Sequence, residues 1–138
     1  MNRRTLIRCV LALPLSFAIA CGSDTTAPVV VTSVVGTWVL TTVDSKPLPI
    51  IVAASDPKQE LIDKRYVMTA AGTFTTSFTL KDTELDGSTS TGTTSDSGTY
   101  TLADNTVTFT NASDRSIVVG VVTPTKMTIG GIQEFTRQ

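Results

Sequence analysis

Side chains that commonly perform enzymatic chemistry are scarce in this sequence. Its 138 residues include no histidine, which removes the usual general base, the usual activator of serine or cysteine nucleophiles and the commonest zinc ligand. Two cysteines, Cys9 and Cys21, and twelve carboxylates remain. The composition therefore predicts a protein that is not an enzyme and that has no cofactor.

Three of the carboxylates stand at alternate positions, Asp82, Glu84 and Asp86, in a polar run that continues to residue 97. Their order resembles the beginning of an oxygen-rich calcium loop. The twelfth position of such a loop is Thr93 here, where a calcium loop needs glutamate. Because the run is also too poor in apolar residues to pack, we expect a mobile hairpin loop over residues 82–97 and no metal site.

The first twenty residues have the pattern of a secretory signal. A basic start with Arg3, Arg4 and Arg8 precedes about a dozen mostly apolar residues that end in small ones. A membrane span needs about 20 apolar residues, and Pro14 interrupts this shorter run. Residues 1–20 are therefore predicted to be a signal peptide that the mature protein lacks.

The end of this signal resembles the lipobox of bacterial lipoproteins. The matching residues are Ala18-Ile19-Ala20-Cys21, although that family more often has leucine at the place of Ala18. The resemblance implies that Cys21 becomes the mature N-terminus and carries two or three acyl chains, palmitate among them. Cleavage would also discard Cys9, so that no internal disulfide is possible. The alternative is an ordinary signal peptide followed by a coincidental cysteine.

A lipidated cysteine would also determine where the protein is located. Several acyl chains together anchor a protein stably to a membrane. In one common sorting rule of bacterial lipoproteins, an aspartate directly after the cysteine retains the protein at the inner membrane. Since Gly22 follows here, the resemblance implies an exported protein, anchored by its lipid in the cell envelope, with the outer membrane favoured.

The charge of the chain argues against a nucleic-acid partner. Without residues 1–20 the chain keeps eight basic and twelve acidic side chains, and the basic ones are scattered except for Lys64 and Arg65. Nucleic-acid backbones are bound by clustered lysine and arginine. No nucleic-acid partner is therefore predicted, and the sequence identifies no protein partner.

The remaining chain divides into a tether and one β-rich domain. Residues 21–33 begin with Cys21, are mostly small or polar and include Pro28, which predicts a flexible tether. Residues 34–138 alternate apolar and threonine side chains, as is typical of strands. About eight short antiparallel strands fit this length, and closure would remove exposed edges. We predict an all-β, up-and-down barrel, with a β-sandwich as the alternative.

One segment of this domain departs from the strand pattern. Residues 55–63 contain an acidic cap, Pro57 at the first helical position and acids in the first turn, which predicts one or two helical turns. The predicted core consists of the larger apolar side chains of the strands: Trp38, Leu40, Tyr66, Met68, Phe74, Phe78, Tyr100, Leu102, Val107, Phe109, Ile117, Val119, Val121, Met127, Ile129 and Phe135.

Three features resemble small bacterial lipocalin-like domains: the opening Gly36-Thr37-Trp38, the later hairpin with Gly98-Thr99-Tyr100, and Arg137 near the end of the chain. In lipocalins, the tryptophan of Gly-x-Trp fills one end of the barrel and an arginine from the last strand lies across it. The resemblance therefore implies that Gly36, Trp38 and Arg137 close one end of the barrel.

The resemblance also implies a small apolar ligand at the opposite, open end, with Tyr66, Phe78 and Tyr100 as the candidate contact residues. This chain is shorter than full lipocalins. The alternative is therefore a filled barrel with a structural or protein-interaction role and no small-molecule ligand. An interior space of roughly 300 Å³ or more would favour the ligand.

Overall fold

The computed structural model describes residues 30–31 and 33–138, and these residues contain ten β-strands and no helix. The strands are β1 (Gly36–Val43), β2 (Lys46–Pro47), β3 (Ile50–Ala53), β4 (Lys58–Met68), β5 (Thr73–Thr83), β6 (Thr89–Ala103), β7 (Thr106–Asn111), β8 (Ile117–Val122), β9 (Lys126–Ile129) and β10 (Gln133–Arg137). The predicted signal peptide, Cys21 and most of the predicted tether lie outside the described residues.

Eight of these strands close an antiparallel barrel. Strands β4 to β10 pair with their neighbours in chain order, and β1 pairs with both β10 and β4, which completes the ring. The short strands β2 and β3 add to β1 and β4 at one rim. The predicted all-β, up-and-down barrel of about eight strands is confirmed.

The predicted helical turns at residues 55–63 are wrong. The chain bends at residues 54–57 and then enters β4, which pairs with β3 on one side and with β5 on the other. Leu61 of β4 is buried in the core. Pairing on both sides and burial of an apolar side chain outweigh the local helix signals, as tertiary context commonly does.

The predicted mobile loop over residues 82–97 is also wrong. Strands β5 and β6 form a ladder of eleven residue pairs, from Thr73 opposite Thr99 to Thr83 opposite Thr89, and only residues 84–88 turn. Threonine is β-branched and favours strands even where the composition is simple. Because β7 pairs with β6 only over residues 98–103, the rest of this ladder projects beyond the barrel wall.

The core prediction fails on β8. Ile117, Val119 and Val121 are 67%, 50% and 60% exposed, because Val118, Gly120 and Val122 occupy the inward positions instead. At Gly120 the side chains of neighbouring strands come so close that a Cβ atom would lie 3.2 Å from Ile129. The sequence of β8 is apolar in both phases of its alternation, so the pattern could not assign its faces.

The antiparallel order places the turns alternately at two ends of the barrel. The closed end has the turns at residues 69–72, 104–105 and 123–125, together with residues 30–31 and 33–35 and the C-terminus. The open end has the turns at residues 44–45, 112–116 and 130–132, and the β5–β6 ladder projects from it.

Candidate ligand site at the open end of the barrel

The closed end is filled around Trp38, which is fully buried. Its indole Nε1 donates a hydrogen bond of 2.8 Å to the carbonyl oxygen of Val34. The guanidinium carbon of Arg137 lies 5.6 Å from the centre of the indole rings, within the range of a cation–π contact. The same guanidinium donates to the carbonyl oxygens of Ser33 and Val35, so that Arg137 also holds the chain that leads into β1.

Gly36 fits this arrangement because of its backbone conformation. Its φ angle is +135°, where side chains of L-residues are rarely found, and a Cβ atom would lie 3.5 Å from Nε of Arg137. The structure thus brings together Gly36, Trp38 and Arg137, the three residues to which the sequence resemblance assigned closure.

An aromatic cluster fills the middle of the barrel. The ring of Tyr66 lies 4.8 Å from Phe109, 5.4 Å from Phe135 and 5.7 Å from Phe74, measured between centroids. Tyr66 is 5% exposed, and burial raises the pKa of its phenol. It belongs to the core, and this part of the barrel is packed.

Tyr100, the second candidate contact residue, lies towards the closed end. Its hydroxyl donates a hydrogen bond of 2.6 Å to the carbonyl oxygen of Thr69 in the β4–β5 turn. With Val34 and Leu102 it lines a depression of about 320 Å³. The three candidate contact residues therefore do not converge, and Phe78 is the one at the open end.

Around Phe78 the open end has an apolar depression of about 300 Å³, lined by Val52, Leu61, Lys64, Phe78 and Leu80. Cross-strand pairing positions these side chains, because Lys64 is directly opposite Phe78 and Leu61 is opposite Leu80 in the β4–β5 ladder. The aromatic cluster fills the barrel beneath, so the depression is shallow. Four apolar side chains and one cationic group can cover part of a small molecule there.

Lys64 reaches from β4 across the mouth of the barrel. Its Nζ donates a hydrogen bond of 2.8 Å to the amide oxygen of Gln133 on β10 and lies 5.8 Å and 5.9 Å from the ring centres of Tyr66 and Phe135. Among the described residues no carboxylate lies within 4.0 Å of this ammonium group. Burial lowers the pKa of Lys64.

The sequence analysis missed Lys64 as a site residue and noted it only as half of a basic pair. A usable signal was present, because Lys64, Tyr66 and Met68 are alternate positions of one predicted strand. Alternate residues of a strand share a face, and Tyr66 and Met68 were both predicted to be core residues. The same pattern therefore predicts that Lys64 lies on the inside of the barrel. Leu61 was missed because its segment was predicted to be helical.

A second depression, of about 340 Å³, lies between the turn at residues 54–56 and the tip of the β5–β6 ladder. Its lining includes Asp56, Lys58 and Glu84, and its one large apolar side chain, Leu85, is 88% exposed. It is larger than the depression at Phe78 but lacks an apolar wall, so it is the weaker candidate.

Among residues 30–31 and 33–138, no group of three or more cysteine, aspartate or glutamate side chains is placed to hold a metal ion. None of these residues forms a helix that is long and apolar enough to cross a membrane.

The comparison with family models gives one match, to the lipocalin-like domain, over residues 34–129 and thus more than two thirds of the chain. The chain belongs to the lipocalin-like domain family. Searches of curated proteins and of solved structures found no match. The lipocalin-like match includes every residue that lines the depression at Phe78 and ends before β10, which contributes Gln133 and Arg137.

Proposed function

We propose that this lipocalin-like protein binds a small apolar molecule in the depression at the open end of its barrel. The observation on which the proposal rests is the lining of that depression, in which four apolar side chains surround about 300 Å³. Ligand sites are concave, mostly apolar and equipped with few polar groups, and their volumes begin at about 300 Å³. Phe78 and Leu80 are half-buried, so a ligand would remove more of their apolar surface from water.

The proposal includes export and lipid anchoring at Cys21, with the outer membrane favoured by Gly22. The backbone nitrogen of Val31 donates a hydrogen bond of 2.8 Å to the side chain of Asn105, so the chain reaches the barrel at its closed end. The nine residues from Gly22 to Val30 can span at most about 30 Å. A lipid on Cys21 would therefore keep the point where the chain meets the closed end within about 30 Å of the lipid.

Mass spectrometry of the mature N-terminal peptide tests the anchor. The expected peptide begins at Cys21 and carries the mass of a diacylglyceryl group, with or without a further acyl chain. An unmodified Cys21 thiol on a protein that leaves the membrane without detergent would contradict it.

Substitution at the depression tests the ligand site. The assay uses the chain with Cys21→Ser, because covalent acyl chains and detergent could themselves occupy an apolar site. In an NMR titration, we expect 1-octanol to shift the signals of residues around Phe78. Phe78→Ala should weaken the binding of 1-octanol about fivefold, because it removes apolar contact. The matched control is Val119→Ala on the outer face of β8, which should have no effect. Absence of binding, or equal effects of the two substitutions, would refute the proposed site.

The alternative is a lipoprotein with a filled barrel that contacts another envelope component. Two observations favour it: the aromatic cluster that packs the middle of the barrel, and the exposed row of Ile117, Val119 and Val121 on β8. Native mass spectrometry of the protein from its own host separates the two functions. A small molecule that copurifies supports the ligand site. A protein that carries no such molecule and does not bind 1-octanol supports the interaction role.

A further inference from the structure

We infer that the ligand is amphipathic and carries one anionic head group, which Lys64 binds. This inference rests on the proposed ligand site and adds the class of molecule. The observation behind it is a lysine that faces the mouth of the barrel, in the wall of an apolar depression, with no carboxylate within 4.0 Å among the described residues.

The other lysines of the described chain differ from Lys64. Lys58 and Lys81 approach Glu60, Lys126 approaches Glu134, and Lys46 is exposed to water. Lys64 instead has one neutral hydrogen-bond acceptor and two aromatic ring faces. Removing an ammonium group from water without an opposite charge costs free energy. Such an arrangement is typical of a functional position rather than of a stabilising one.

The geometry leaves room for an anion at the head of the depression. An ammonium group has three donors, and Gln133 accepts one of them. The rings of Tyr66 and Phe135 lie beside Nζ within the packed core, so a ligand must approach from the depression. When the head group of a ligand accepts a hydrogen bond from Nζ, the apolar chain of that ligand lies along Leu61, Phe78 and Leu80. A neutral head group could accept the same hydrogen bond, but it would leave the charge uncompensated.

The volume guides the choice of probe molecules, although an open depression does not limit the length of a ligand. A space of about 300 Å³ holds about ten non-hydrogen atoms, at the ~30 Å³ that one water molecule occupies in the liquid. Octanoate has that size, and 1-octanol is its neutral counterpart with the same carbon chain. Acetate has the head group without the chain.

The experiment compares these three molecules by NMR titration at neutral pH, on the chain with Cys21→Ser and on three variants of it. We expect octanoate to bind more tightly than 1-octanol, and Lys64→Met to weaken octanoate about tenfold and 1-octanol distinctly less. Lys64→Arg keeps the charge and should retain the preference for octanoate. Lys81→Met, on the neighbouring strand, removes a lysine that approaches Glu60 and does not line the depression, and it should change the affinity for neither ligand.

The outcomes separate this inference from the proposed function. If octanoate and 1-octanol bind equally to the unsubstituted protein, or if Lys64→Met and Lys81→Met weaken octanoate alike, the inference is overturned and the ligand site stands. If acetate binds as well as octanoate, Lys64 is a simple anion site and the inference is again overturned. If none of the three molecules binds, the proposed function itself fails.

Discussion

The two ends of the barrel are built from the same strands but use their polar groups in opposite ways. At the closed end the indole of Trp38 and the guanidinium of Arg137 both donate to backbone carbonyls of the chain leading into β1. At the open end Lys64 faces the barrel without a carboxylate near it among the described residues, beside half-buried apolar side chains. The difference agrees with our proposal, in which the closed end stabilises the fold and the open end binds a ligand.

Substitution of Trp38 is the strongest test of this comparison. Trp38→Ala should lower the free energy of unfolding by about 3–5 kcal/mol, because it removes the largest fully buried side chain and leaves a cavity. Urea denaturation measures the change, with Val119→Ala as the control that should stay within about 0.5 kcal/mol. The folded fraction of Trp38→Ala should still bind 1-octanol. Loss of binding in a folded variant would show that the two ends are not independent.

A second test compares two glycines of β6: Gly98, where β6 is part of the barrel wall, and Gly92, where the β5–β6 ladder projects beyond it. At Gly98 a Cβ atom would lie 2.0 Å from the carbonyl oxygen of Thr110 and 2.9 Å from the ring of Phe74, whereas nothing lies within 4 Å at Gly92. Gly98→Ala should therefore cost about 1–3 kcal/mol of stability. Gly92→Ala should be neutral or stabilise by up to about 1 kcal/mol, because it restricts the unfolded chain. Equal losses in thermal melts would contradict the contrast between wall and ladder.

The sequence predicted the closed end better than the open end, for a physical reason. Gly36, Trp38 and Arg137 belong to a recognisable pattern, and the pairing of β1 with β10 places Trp38 opposite Arg137. The open end depends on long-range pairing. Leu61 faces the depression only because β4 continues through the segment with helix signals, and the wall beyond Phe78 exists only because the threonine run forms a ladder. Local composition does not contain that information.

Arg137 gives a smaller test at the closed end. Arg137→Gln removes the cation–π contact with Trp38 and the hydrogen bonds to Ser33 and Val35, and should lower stability by about 1–2 kcal/mol. Arg137→Lys keeps the charge but not the planar set of donors, so its stability should fall between those of the other two proteins. Urea denaturation measures both. A neutral effect of Arg137→Gln would show that Trp38 alone closes this end.

Lys64→Met should change stability less than Arg137→Gln does, and with the opposite sign. Burial lowers the pKa of Lys64, so between that lowered value and the ordinary 10.5 the unfolded chain binds more protons than the folded one. The stability contribution of Lys64 is therefore unfavourable at neutral pH and becomes less so as the pH rises through this window. Without ligand, Lys64→Met should be more stable than the unsubstituted protein by about 1 kcal/mol at pH 7.

The pH dependence identifies the origin of that gain. The advantage of Lys64→Met should shrink as the pH rises towards 10.5, because Lys64 loses its proton at a lower pH in the folded protein than in the unfolded chain. Tyr66, whose pKa burial raises, is present in both proteins, so the difference between their unfolding curves isolates Lys64. Octanoate should reverse the order at pH 7, because it stabilises the protein that keeps the lysine more than the variant, which binds it about tenfold more weakly. A gain that is constant with pH would mean that better packing of methionine, rather than loss of an unpaired charge, stabilises the variant.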